Sequence, residues 1–118
     1  MKLHQLIVIA CLIAGASVTT AQESIRLQFE IVKDGSTVAT PEVSVISGTT
    51  GTIELDRGRI AFTPTQRGSE SVAVAFDVRL AGKRLQPHLV IGRSEPGTLS
   101  WQSDTGAESF TIRVSWIR

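Results

Sequence analysis

Few side chains in this sequence could do chemistry. Past position 21 there is one histidine, His88, and no cysteine. Serine-based hydrolysis needs a hydroxyl, a base beside it and an acid that orients the base. His88 would have to be that base. It follows Pro87 in a stretch whose apolar members are Leu85, Leu89 and Ile91, and no serine stands in a nucleophile elbow. The pattern reads as a solvent-facing or locally hydrogen-bonded histidine. Thiol chemistry and a Cys/His zinc site have no ligands to draw on. Paired carboxylates could serve acid–base hydrolysis, and Glu30 and Asp77 occupy similar settings, each between apolar neighbours. That phase turns both away from a core, as strand-face charges. Asp104 and Glu108 flank Gly106 in a loop, but supply too few oxygens for a calcium site. Trp101 and Trp116 could form a stacking platform, yet they share their phase with Leu99, Phe110, Ile112 and Val114, so core packing is the expectation. No catalytic, cofactor or metal residue is assigned, and the expectation is a non-enzymatic protein.

The elements that would carry these residues are strands. Ile25, Leu27, Phe29 and Ile31 alternate with Arg26, Gln28 and Glu30, the period of a half-buried strand. Val72, Val74, Phe76, Val78 and Leu80 repeat the pattern, with Ala73, Ala75, Asp77 and Arg79 between them, so their second face is small at one end and charged at the other. Asp34-Gly35, Ser47 to Gly51, Asp56 to Arg59, Gly68-Ser69, Ala81 to Arg84 and Ser103 to Gly106 punctuate the apolar runs as turns and loops. Val43 and Val45, Ile53 and Leu55, Ile60 and Phe62, Leu85 to Ile91 (interrupted by Pro87), Leu99 with Trp101, and Phe110 to Trp116 supply the other strands. No window has helical spacing. The expected fold is all-β, a small antiparallel β-sandwich or a strongly curved sheet.

The chain also resembles itself. Phe29-Glu30-Ile31, Gly35, Pro41, Val43 and Gly51-Thr52-Ile53 lie over Phe76-Asp77-Val78, Gly82, Pro87, Leu89 and Gly97-Thr98-Leu99, with a one-residue gap upstream of the prolines. Two copies of one meander are therefore expected to superimpose, each burying the other's apolar face.

The first positions read differently. Lys2 precedes the apolar run Leu6 to Ala14, then come small residues up to Ala21 and the polar Gln22-Glu23-Ser24. That order is a secretory signal peptide, with an apolar run too short for a membrane anchor. Residues 1–21 are the expected leader, and 22–118 a single domain without cysteine, hence without disulfides. Cys11 is taken as one more apolar leader residue, not a lipidation site. The chain has 12 basic and 11 acidic side chains. Removing Lys2 balances them, and neither sign forms a run, so the footprint of a nucleic-acid or anionic-membrane binder is missing.

A strand ending in a turn, then Thr40-Pro41-Glu42-Val43-Ser44-Val45, a glycine, and Gly51-Thr52-Ile53-Glu54-Leu55, resembles a stretch of the outer-membrane β-domain of the secretin family. There a proline-led strand is followed by a short loop and a second strand. The resemblance covers about sixteen residues, and the rest of those longer domains has no counterpart here. It implies neither a channel nor a ring.

The sequence thus points to a periplasmic or secreted binding module, an accessory in the cell envelope or free-standing, with a protein partner it does not name. No transmembrane segment is expected after processing. The competing reading is a small secreted hydrolase or enzyme inhibitor. The expected contact edge is the last strand, through Thr111, Arg113, Ser115 and Trp116, because it alternates strongly and nothing follows to cover it.

Overall fold

A computed structural model describes residues 7–9 and 24–117. The leader expectation, with Cys11 and the cleavage point at Ala21, lies outside the described residues except for Ile7–Ile9. The elements are β1 (Ile7–Ile9), β2 (Ser24–Lys33), β3 (Ser36–Ala39), β4 (Glu42–Ile46), β5 (Gly51–Leu55), β6 (Gly58–Arg67), β7 (Ser71–Leu80), β8 (Lys83–Leu85), β9 (His88–Gly92), β10 (Gly97–Gln102) and β11 (Ser109–Ile117). All pairings between them are antiparallel.

They form two sheets. In sheet A the order is β1-β5-β6-β7, with β8 and β9 pairing one after the other along the far side of β7. In sheet B it is β10-β11-β2, with β3 and β4 sharing the far side of β2. The alternating apolar residues of the long strands face inward and meet. Phe29 of sheet B lies with its ring centroid 4.8 Å from that of Phe62 in sheet A. Nineteen buried apolar residues, all between Ile25 and Trp116, make one core. The expected all-β sandwich is the observed fold.

The two halves, 24–67 and 71–117, follow one plan. Each begins with a long strand, turns, runs back as two short strands broken at a proline, crosses to the other sheet, and ends in a hairpin. The turns match: Asp34 and Gly35 have φ of 50° and 82°, Ala81 and Gly82 have 53° and 83°. These are the left-handed values of the primed hairpin turns, whose twist suits the strands they join. The breaks match too. Phe29 N donates to the Pro41 carbonyl at 2.9 Å, and Phe76 N donates to the Pro87 carbonyl at 2.9 Å. A proline fits there because an edge strand needs no outward donor.

Matched glycines follow the breaks. A Cβ on Gly51 would stand 2.7 Å from Phe62 Cζ, and one on Gly97 would stand 2.9 Å from Ile91 Cγ2 and Leu89 Cδ1. Each leaves room for the core side chains under the point where the chain changes sheet. The last strand of each half pairs with the first strand of the other, β6 with β7 and β11 with β2. Neither sheet is made by one half alone, which is how two meanders bury each other.

Pro64 sits inside β6, flanked by β7. It is accommodated because β5 reaches only as far as Phe62, opposite Gly51. The Pro64 carbonyl still receives Gly48 N at 2.7 Å.

Candidate functional site

The singled-out side chains do not converge. Glu30 lies on β2 and Asp77 on β7, so they stand on the outer faces of different sheets. Glu30 accepts from the Thr37 hydroxyl at 3.1 Å. Asp77 receives Arg84 through Nε and Nη2 at 3.1 and 3.2 Å. That hydrogen bond lowers the Asp77 pKa; desolvation opposes it, and the charges of Arg84, Arg79 and Arg59 add to the lowering. His88 is exposed at the start of β9, opposite Ala75.

Glu108 is tied down at one end of the sandwich. Arg57 from the β5–β6 turn grips it with two nitrogens at 2.7 and 3.1 Å, and Lys33 reaches it at 3.0 Å. These bonds hold its carboxyl at about 2, below the ordinary carboxylate range. Beside it, Asp34 Oδ1 accepts from Ser109 N at 2.9 Å. The cluster fastens three connections together. Among the described residues no group of three or more His, Cys, Asp or Glu could hold a metal ion.

Trp116 is buried in the core, with the Arg93 guanidinium 3.8 Å above its ring. Trp101 packs against the core and stacks on Phe110, centroids 5.4 Å apart. The indoles are packing elements, as their phase predicts.

The last strand is not an open edge. β10 pairs along one side of β11 from Ser109 to Val114, and β2 pairs along the other from Phe110 to Ile117. Thr111 faces Ser100 and Val32, and Arg113 faces Thr98 and Glu30, so both are interior to sheet B. Only Ser115 and Trp116 lie beyond the end of β10. The expectation failed because position in the chain does not fix position in a sheet. The repeat brings the first strand of one half against the last strand of the other.

Two surfaces that sequence reasoning did not assign stand out instead. The outer face of sheet A has rows Thr65-Ala73-Val90, Thr63-Ala75-His88 and Thr52-Ala61-Asp77 across its strands. One end is a lane of alanines and threonines with Val90, 69% exposed, beside it, and the other end carries the charged row Glu54-Arg59-Arg79-Arg84. The alternation of Ala73 and Ala75 with buried valines was the available signal. The outer face of sheet B instead carries Arg26 paired with Glu42, Glu30 opposite Arg113, and Gln28 opposite Ser115. The second surface is the set of sheet borders: β5, whose outer side is met only by the three-residue β1, and β8/β9 in sheet A, and β10 and β3/β4 in sheet B.

The fold and these surfaces define an all-β, two-sheet domain of repeated plan, distinguished by its faces and edges. In comparison with known proteins, no family model, curated protein or solved structure matches the chain. No helix among the described residues is long and apolar enough to cross a membrane.

Proposed function

We propose that this is a non-enzymatic, exported β-domain that acts by binding a protein partner, in the periplasm or outside the cell, as an envelope accessory or free-standing module. The observation that carries the reading is the outer face of sheet A. Alanine, threonine and Val90 at the Ala73–Ala75 end of that face can be covered at little desolvation cost, away from its charged row Glu54-Arg59-Arg79-Arg84, whereas docking on sheet B would bury Arg26, Glu30, Glu42 and Arg113. The leader pattern of residues 1–21 supports export, and the balanced charge of 22–118 fits contact through shape and apolar area.

The test is site-specific photo-crosslinking in the native envelope. A crosslinker at Val90 should capture a discrete partner, and one at Arg113 should not. Ala73→Glu with Val90→Glu should abolish capture while leaving the circular dichroism spectrum unchanged. His88→Ala and Glu30→Gln should leave capture intact. A purified protein that turns over a substrate, and stops in His88→Ala, would replace this reading with the hydrolase.

A further inference from the structure

We propose that the outer edge of β5 is a strand-acceptor site whose ligand is an extended apolar segment of a second polypeptide, added antiparallel once residues 1–21 are gone. The inference rests on the binding reading above and names its contact.

The direction of the free backbone groups follows from the hairpin. Only Asp56 and Arg57 connect β5 to β6, with Leu55 opposite Gly58, and such a two-residue connection closes on a hydrogen-bonded pair. Pairs alternate along an antiparallel ladder, so Ile53 with Ile60 and Gly51 with Phe62 are bonded likewise. Thr52 and Glu54 therefore direct their N–H and C=O groups away from β6. Three residues of this chain show what that row accepts. Ile7 stands opposite Glu54, Val8 opposite Ile53 and Ile9 opposite Thr52, antiparallel.

The other edges carry features that oppose such an addition. The β3/β4 edge is broken at Pro41 and shifts register between Ile31 and Val32. The β8/β9 edge is broken at Pro87. β10 is the counterpart of β5 in the second half, but the Lys83 ammonium donates to its Gln102 carbonyl at 3.2 Å. Proline, irregular register and lysine are the usual guards of a strand edge. β5 has none of them among Gly51–Leu55.

The register also states the partner's chemistry. A residue placed opposite Ile53 shares the core side, next to the buried Gly51 and Ile53, and favours valine or isoleucine. Its two neighbours share the outer face with Thr52 and Glu54. Backbone bonds would supply affinity, and that one inward residue the selectivity. If the leader is removed on export, the row it covers is open.

Amide hydrogen exchange read by NMR tests this on the full chain and on residues 22–118, which keep every core residue. The probe is a synthetic peptide of residues 6–10 between terminal lysines. In the full chain the Thr52 and Glu54 amides should be protected. In 22–118 they should exchange freely, and saturating peptide should slow them about tenfold or more, as one backbone bond each would. Thr98 and Ser100 should not change. Thr52→Pro and Glu54→Pro should abolish the effect yet leave the Ile53 and Ile60 amides protected, since they remove only outward donors, and Thr52→Ser should behave as wild type. Slowing at Thr98 and Ser100, or none anywhere in a folded 22–118, would overturn the proposal. Crosslinking at Val90 would still succeed if the domain binds by its face alone, so the two failures are distinguishable.

Discussion

The halves 24–67 and 71–117 share their turns, proline breaks and sheet-changing glycines, and differ almost everywhere else. The first half closes β5 to β6 with two residues, while the second closes β10 to β11 with a loop over 103–108. Glu30 takes a threonine hydroxyl where Asp77 takes an arginine, although Thr37 and Arg84 hold corresponding places. In the first half Asp34 supports Ser109 of the neighbouring strand in sheet B, and in the second its counterpart is Ala81, which has no side chain for the task. Positions whose backbone or core geometry is shared have kept similar residues. Positions facing water have diverged, and there the β5 and β10 edges and the two outer faces have become unlike. A repeated frame constrains its inside more than its outside, because cores tolerate little change in volume.

The sharpest way to break this equivalence is at the core. Phe29→Ala and Phe76→Ala should each destabilise by about 3–5 kcal/mol, measured by urea unfolding of purified protein. A large effect at one and a negligible effect at the other would show that the matched positions do different work. Next come Gly51→Ala and Gly97→Ala. Both force a methyl into side chains already in contact, and each should cost about 1–3 kcal/mol, with the shift in thermal midpoint as the readout.

The turns offer a gain instead of a loss. Ala81 holds a φ of 53°, unfavourable for a residue with a Cβ and no local hydrogen bond to offset it. Ala81→Asn, giving the Asn-Gly pair that such turns prefer, should stabilise by about 1 kcal/mol. Asp34→Ala should lose stability, as it removes the bond to Ser109.

The smallest effect concerns Glu108, which precedes β11 where Arg57 precedes β6 in the first half's hairpin. Its carboxyl is lowered from 4.5 to about 2, first by hydrogen bonds from Arg57 and Lys33. A depressed carboxyl stabilises the fold above its ordinary pKa, and that contribution fades as pH falls from about 4.5 towards 2. Thermal midpoints across this range should fall less steeply in Glu108→Gln than in wild type. Equal slopes would remove Glu108 as the acid-sensitive tie.

Much of the architecture was legible because a half-buried strand writes its burial directly into alternation. The Ile25–Ile31 and Val72–Leu80 runs, the outward Glu30 and Asp77 and the inward tryptophans are of that kind. β3 left a weaker trace. Ser36, Thr37 and Val38 lie exposed on an edge, and with no buried face they have no period. The surfaces were harder still. Ala73 and Ala75 announced a small outer face, but not that Thr63, Thr65 and Val90 would complete it from other strands.

What the sequence alone determined is local: which segments extend, which face of each is apolar, where the chain must turn, and that one plan occurs twice. Those features depend on neighbours within a few residues, through alternation, positive φ and the missing donor of proline. Only the tertiary structure decided which strand borders which. β11, the last strand, became a central strand because β2 from the other half pairs along it, while β5, in mid-chain, came to lie at the border of sheet A with only the short β1 outside it. Strand pairing is made through backbone groups that every residue carries, so side-chain identity says little about the partner until the sheets are closed.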